Sequence, residues 1–205
     1  ILPEVDVVIH LAGVTTGRNS KDYERMNYEP VLHLLDCLNR QQWKPKRFIL
    51  ASSLAAAGPN INGKVLRESD VSAPIEPYGV AKLRAEQLLR SQLFPTTAFR
   101  PPAVIGPGDP AMLTLFKMVK KGFAPLPSGK VQLLSYIYVG DLVEAIYIMS
   151  KENSEEHKLY FTTADDVITN YDIIREIATS LQKKALIVRI PKELIWLIMV
   201  FSTAI

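Results

Sequence analysis

The 205-residue sequence predicts an α/β fold, a doubly wound parallel sheet with a smaller C-terminal lobe. Three observations carry this. Short apolar runs alternate with longer amphipathic ones in the order β-α-β-α. The apolar runs are rich in β-branched residues and lack strict polar–apolar alternation, the pattern of strands buried on both faces. The amphipathic stretches open on helix-capping residues.

Val5–Leu11 (VDVVIHL) reads as the first strand, with both faces buried. Asn19, with Asp22 three residues on, is an N-cap pair that opens a helix through Val31, Leu34, Leu35 and Leu38. Residues 46–52 (KRFILAS) form the second strand, and a loop rich in Gly, Pro and Asn runs from Leu54 to about Pro77. A helix from Tyr78 to about Gln92 and a third strand at Thr96–Arg100 follow. The second half is looser. A helix is expected at Ala111–Lys121, extended chain at Val131–Val139, a helix at Asp141–Lys151 and a short strand at Leu159–Thr162. Thr169 with Asp172 caps a helix through Ile173, Ile174, Ile177 and Leu181. Ala185–Ile190 is extended, and Pro191 stands at the favoured first position of a last helix.

Composition narrows the function. A net charge of +3 with scattered basic residues argues against a nucleic-acid partner. The single cysteine, Cys37, excludes an internal disulfide framework and fits a reducing, cytoplasmic compartment. Its neighbours Leu34, Leu35 and Leu38 make it read as core. The first residues have no basic segment of a secretory signal. Leu194–Ile205 (LIWLIMVFSTAI) is apolar but, at 12 residues, too short for a bilayer, which needs about 20. It reads as a buried or interfacial helix, or more sharply as a membrane-proximal anchor. His10 sits in a strand and reads as core, and neither His33 nor His157 has a metal partner at useful spacing. No metal site is expected.

In an open parallel sheet, ligands bind beyond the carboxyl ends of the strands. Here those ends carry Leu11-Ala12-Gly13, Ser52-Ser53 and Arg100-Pro101-Pro102, mostly small residues that let a flat ligand approach the backbone. Beside them comes Tyr78-Gly-Val-Ala-Lys82. Residues i and i+4 share a helix face, so the ammonium neighbours the phenol and is expected to lower its pKa from about 10. The helix N-terminus adds positive potential, and Ser53 can hold a substrate oxygen. Such a set suits acid–base exchange between an alcohol and a carbonyl. Ser52 reads as a backbone-capping neighbour, Arg100 as a cleft donor or an anchor, and Asp109 and Asp141 as loop and helix stabilisers. A second Tyr-x-x-x-Lys, Tyr147 with Lys151, follows no serine-bearing strand and reads as surface.

The chain resembles the extended short-chain dehydrogenases/reductases, the group of NAD-dependent epimerases and dehydratases. The pieces that carry the resemblance are DVVIHLAG (6–13), Asn27, FILASSLAAAG (48–58), PYGVAKLRAEQ (77–87), RPPAVIGPGD (100–109) and YVGDLVEAI (138–146), in family order across about residues 5–165. The AGPN at 57–60 and the C-terminal third look most like the 3β-hydroxysteroid dehydrogenase branch. The resemblance implies a Rossmann-type NAD(P)-binding domain over 1–110, a substrate lobe over 111–205 and a return of 131–165 to the first domain. It implies Tyr78 as proton donor and acceptor, Lys82 as ribose ligand and tuner of Tyr78, and Ser53 as partner of the reacting oxygen. It places Leu11, Ala12, Gly13, Asn27 and Pro102 against NAD or NADP, with hydride transfer as the chemistry. Relatives of this kind commonly form homodimers.

Departures from the family also inform. Sugar dehydratases of the group carry an Asp-Glu pair after the catalytic Ser/Thr. Leu54 and Ala55 stand there and move no proton. Ala57 and Ile105 replace frequent tyrosines, which tilts the expectation toward a less sugar-like substrate. No G-x-x-G-x-x-G turn occurs in the sequence. With Ile1 at the start and an apolar stop, the chain is expected to be a fragment that lacks the first βαβ units, on the order of 60 residues, and binds cofactor poorly alone. The leading expectation is an NAD(P)-dependent oxidoreductase acting on a hydroxyl or ketone of a steroid-like or sugar-like small molecule. The alternatives are a nucleotide-sugar epimerase and a non-catalytic NAD(P)-binding sensor or subunit.

Overall fold

The computed structural model describes residues 2–60, 65–129 and 131–191. The expected C-terminal helix, with the apolar run Leu194–Ile205, lies outside them. The chain divides into two compact units, Ile1–Val104 with Ile137–Thr163 and Ile105–Tyr136 with Ala164–Ile205.

The first unit is built on four strands, β1 (Val7–His10), β2 (Arg47–Ala51), β3 (Thr96–Arg100) and β8 (Lys158–Phe161), all parallel in the order β1-β2-β3-β8. Side chains alternate across a strand, and the core follows that period. Phe48, Leu50 and Ala98 pack with Val31, Leu35 and Leu38 of α2 (Glu29–Asn39) and with Ala85 and Leu89 of α3 (Pro77–Leu89). Ile49 and Phe99, on the opposite face, pack with Leu142, Ile146 and Met149 of α5 (Val139–Lys151). Helices therefore cover both faces, the arrangement the unbroken apolar runs require. β1 departs from expectation. Among the described residues it pairs only with β2, and Ile9 is 42% exposed.

Arg47 ties the far end of this sheet together. Its buried guanidinium donates to Thr97 Oγ1 (2.8 Å) and to the Glu152 carbonyl (3.0 Å), while Tyr160 donates to Glu152 Oε1 (2.8 Å). Cys37 is exposed, not core. It lies two residues beyond the buried Leu35, a little over half a helical turn, and so on the outer face of α2. The helix at 20–39 starts as expected. Asn19 Oδ1 accepts the Asp22 N–H (3.1 Å) and opens α1 (Ser20–Tyr23).

The second unit contains α4 (Pro110–Lys120), β5 (Phe123–Pro127), β6 (Leu133–Leu134), β9 (Ile168–Thr169), α6 (Asn170–Ser180) and β10 (Leu186–Ile190). β10 runs parallel to β5, and β6 antiparallel to β9. Val119, Ala124, Leu126, Ile174 and Ile177 form its core. Asp109 caps α4 through the N–H groups of Ala111 and Met112. Thr169 and Asp172 form a reciprocal capping box on α6. The Thr169 hydroxyl and N–H hold the Asp172 carboxyl below its ordinary range. A depressed carboxylate pKa stabilises the fold above the unfolded value and loses that contribution as pH falls through the folded one. We therefore expect Thr169→Ala to cost about 1 kcal/mol in urea denaturation at neutral pH, and less in acid where Asp172 is protonated.

Candidate active site

The site grows from the carboxyl ends of β1, β2 and β3. The chain leaves β1 through Leu11, Ala12 and Gly13, all exposed. Gly13 lies so close to two side chains that a Cβ there would sit 2.6 Å from Asn27 Oδ1 and 3.0 Å from Lys82 Nζ. Asn27, buried, belongs to a π-helical turn (Glu24–Tyr28) between α1 and α2, a local widening often found at functional sites. Its Oδ1 accepts the Val14 N–H (3.1 Å), and its Nδ2 donates to the carbonyls of Val14 (3.0 Å) and Tyr23 (3.2 Å). Asn27 thus clamps the exit loop of β1.

β2 ends in Ala51 and passes through Ser52-Ser53 into a 3₁₀ turn (Leu54–Ala56). The Ser53 hydroxyl accepts the Ala55 N–H (3.2 Å) and lies close enough to the Tyr78 phenol to act on its pKa. The capping role expected of Ser52 therefore falls to Ser53. The register comes from Gly79. Its missing Cβ would lie 2.3 Å from the Ala55 carbonyl oxygen, so only hydrogen there lets α3 approach the turn. We expect Gly79→Ala to part Tyr78 from Ser53 and to lower turnover by about 10²-fold, the scale of a 1 Å misplacement, with the midpoint of thermal unfolding as control.

Pro77 takes the first turn of α3, and Tyr78 follows it. One turn on, Lys82 is 4% exposed. Its Nζ donates to the Ala51 carbonyl (3.0 Å) and lies 5.9 Å from the Tyr78 ring centroid. Burial pulls the Lys82 pKa down, and the charge of Glu86 opposes that. The Tyr78 pKa differs from expectation. Burial raises it above the usual phenol value, and the neighbouring Ser53 hydroxyl pulls the other way without prevailing. Desolvating a phenolate outweighs the partner the sequence offers it.

Beneath Lys82 lies a cluster the spacing alone did not reveal. Glu86 and Arg100, 5% and 2% exposed, form a two-point ion pair, Nε–Oε1 2.8 Å and Nη2–Oε2 2.6 Å. Ser52 donates to Glu86, and Arg100 Nη2 donates to Ser72 Oγ (2.8 Å). Arg100 is thus an anchor. The available signal was Glu86 itself, a charge at i+4 from Lys82 and i+8 from Tyr78, on the face that enters the protein.

The remaining residues fall around this centre. Pro102 is half-buried just past β3, where the Leu54 N–H donates to the Pro101 carbonyl (3.0 Å). His10, half-buried, stacks on Phe48 at 6.5 Å. Burial and the Lys82 charge hold its pKa down, so it is neutral. Beside the β1 exit, a hollow of about 590 Å³ carries Arg18 and Arg25. Tyr147 and Lys151 stand apart on an exposed stretch of α5, with Nζ 5.4 Å from the ring centroid. Among the described residues there is no metal-binding cluster, and no helix is long and apolar enough to cross a membrane.

The sequence model of the NAD dependent epimerase/dehydratase family matches residues 2–161. The uncharacterized protein y4nL of Sinorhizobium fredii is 25% identical over 185 residues, 86% of this chain and 51% of the relative. A ceramide reductase of Caulobacter vibrioides is 26% identical over 136 residues, 66% of this chain and 38% of the relative. The chain therefore spans about half the length, or less, of these two relatives. The Bacillus cereus UDP-glucuronic acid 4-epimerase, solved with UDP-glucuronic acid and NAD, superposes with a TM-score of 0.80 at 22% identity, over 91% of this chain and 63% of that one. That likeness shows a shared fold.

Proposed function

This chain belongs to the NAD dependent epimerase/dehydratase family, and from that premise we propose that it carries the acid–base half of an NAD- or NADP-dependent oxidoreductase that interconverts a hydroxyl and a carbonyl on a small molecule. The observation that supports this most is the placing of Lys82 Nζ 5.9 Å from the Tyr78 ring centroid, with the Ser53 hydroxyl beside the phenol, at the strand ends. The residues fit a dinucleotide. Leu11, Ala12 and Gly13 leave an open backbone, Gly13 without room for a side chain, and Lys82 lies behind them. Asn27 holds that loop, Pro102 borders the site, and Arg18 and Arg25 offer charge to an anionic group. When bound, the nicotinamide supplies the hydride donor or acceptor.

The chain's own residues handle the proton. Ser53 orients the reacting oxygen, and Tyr78 gives up or takes the proton on it. Because Tyr78 keeps its proton at neutral pH, carbonyl reduction finds its acid ready, whereas alcohol oxidation needs phenolate. We expect kcat/KM for oxidation to climb with pH through the alkaline range, and kcat/KM for reduction to decline only there. The relative named a ceramide reductase favours a reductase acting on a largely apolar substrate. Leu54 and Ala55, in the 3₁₀ turn after Ser53, argue against dehydration.

A second reading is the nucleotide-sugar epimerase, favoured by the fold shared with the UDP-glucuronic acid 4-epimerase. Turnover followed at 340 nm separates the two in the protein that carries this chain. A net change in reduced nicotinamide supports the oxidoreductase. Sugar inversion with tightly retained cofactor and no net change would overturn it.

A further inference from the structure

We propose that Glu86 is a positioning residue of the acid–base site, holding the charge of Lys82 and the lie of the strand end that bears Ser53. This deepens the reading above and rests on Lys82 and Tyr78 being the working pair.

Glu86 lies one turn beyond Lys82 on α3, on the same buried face. Its two oxygens are held by Arg100 of β3, and Ser52, just past the end of β2, donates to one of them. Ser52 precedes Ser53 and follows Ala51, whose carbonyl accepts from Lys82. One carboxylate therefore links the helix carrying Tyr78 and Lys82 to the exit of β2 that leads into Ser53. A buried ion pair of this kind adds little stability over an apolar pair of equal volume. Its use lies in what it does to its neighbours.

Several groups face Lys82. From α3 come the Tyr78 phenol and Glu86, from β2 the Ala51 carbonyl, and from β1 and its exit neutral His10 and the uncharged Gly13. Neutral Asn27 comes from the π turn, and Arg100 of β3 bears on Lys82 through Glu86. Burial works against a charged Lys82, and among these groups Glu86 is the carboxylate that opposes it in part. A protonated Lys82 in turn favours phenolate at Tyr78 when the base is needed.

The test reads Lys82 directly and needs no turnover. In the protein that carries this chain, enriched with ¹³C at lysine Cε, the Lys82 resonance is assigned by its loss in Lys82→Arg and titrated with pH. Glu86→Gln keeps the hydrogen-bonding shape and removes the charge. It is expected to lower the Lys82 midpoint by about one pH unit or more, while Glu86→Asp stays near the parent. Should Glu86→Gln unfold because Arg100 is left unpaired, Glu86→Gln with Arg100→Met removes both charges, and a smaller fall is expected there, because the Arg100 cation itself disfavours a charged Lys82. A midpoint unchanged to within about 0.3 unit in whichever of these variants folds overturns the proposal, on the scale of charge-induced shifts. Unfolding of the double variant overturns it too, since the cluster would then be structural support. Failure of the functional reading would show elsewhere, as turnover that survives Tyr78→Phe with the Lys82 midpoint as proposed.

Discussion

Tyr78→Phe lowers kcat by about 10²–10⁴-fold, the usual contribution of a positioned proton-transfer group, and leaves the fold intact. The side chain is half-buried, and Phe fills the same volume, so the packing of α3 survives. What is lost is the hydroxyl that meets Ser53. Ser53 still accepts the Ala55 N–H and is only half-buried, so its own O–H can turn to water and no fully buried donor is orphaned. Steady-state kinetics paired with thermal unfolding check this. Full turnover in a folded Tyr78→Phe protein would sink the acid–base assignment. Tyr147→Phe is the control. Its ring lies on the exposed face of α5, and no change in kcat is expected.

Arg100→Met has the largest expected effect on stability. It removes the guanidinium that meets both oxygens of Glu86 and leaves a carboxylate that is 5% exposed. Breaking a buried pair from one side costs about 3–5 kcal/mol, because the remaining charge is desolvated without compensation. Adding Glu86→Gln takes that charge away and is expected to restore most of the loss, since removing both partners is often near neutral. Urea denaturation of the parent, the single and the double variant reads this cycle. A single variant within about 1 kcal/mol of the parent would show that the pair carries no such burden.

Much of this was legible in the sequence for plain reasons. The short strand-like runs at 5–11, 46–52 and 96–100 announced the parallel strands, although the first is not buried on both faces as expected, and the caps at Asn19, Asp109 and Thr169 act locally through one side chain and nearby N–H groups. The Tyr78–Lys82 spacing was readable because a helix brings i and i+4 together whatever surrounds it. Cys37 was misread because its apolar neighbours hide a half-turn difference in facing. Ser52 and Ser53 could not be told apart by composition. Their roles separate only because alternate residues of an extended chain point to opposite sides, which turns Ser52 to Glu86 and leaves Ser53 to Tyr78.

By itself, then, the sequence determined the parallel α/β class, the helix starts and the Tyr78–Lys82 pair, since each depends on neighbours within a few residues. Tertiary structure alone decided that Arg100 grips Glu86, that Gly79 admits the Ser53 turn, and that burial holds the Tyr78 proton. Those depend on which distant residues come within 3 Å and on how much water is excluded there, and both are set only when the strands and helices close on one another.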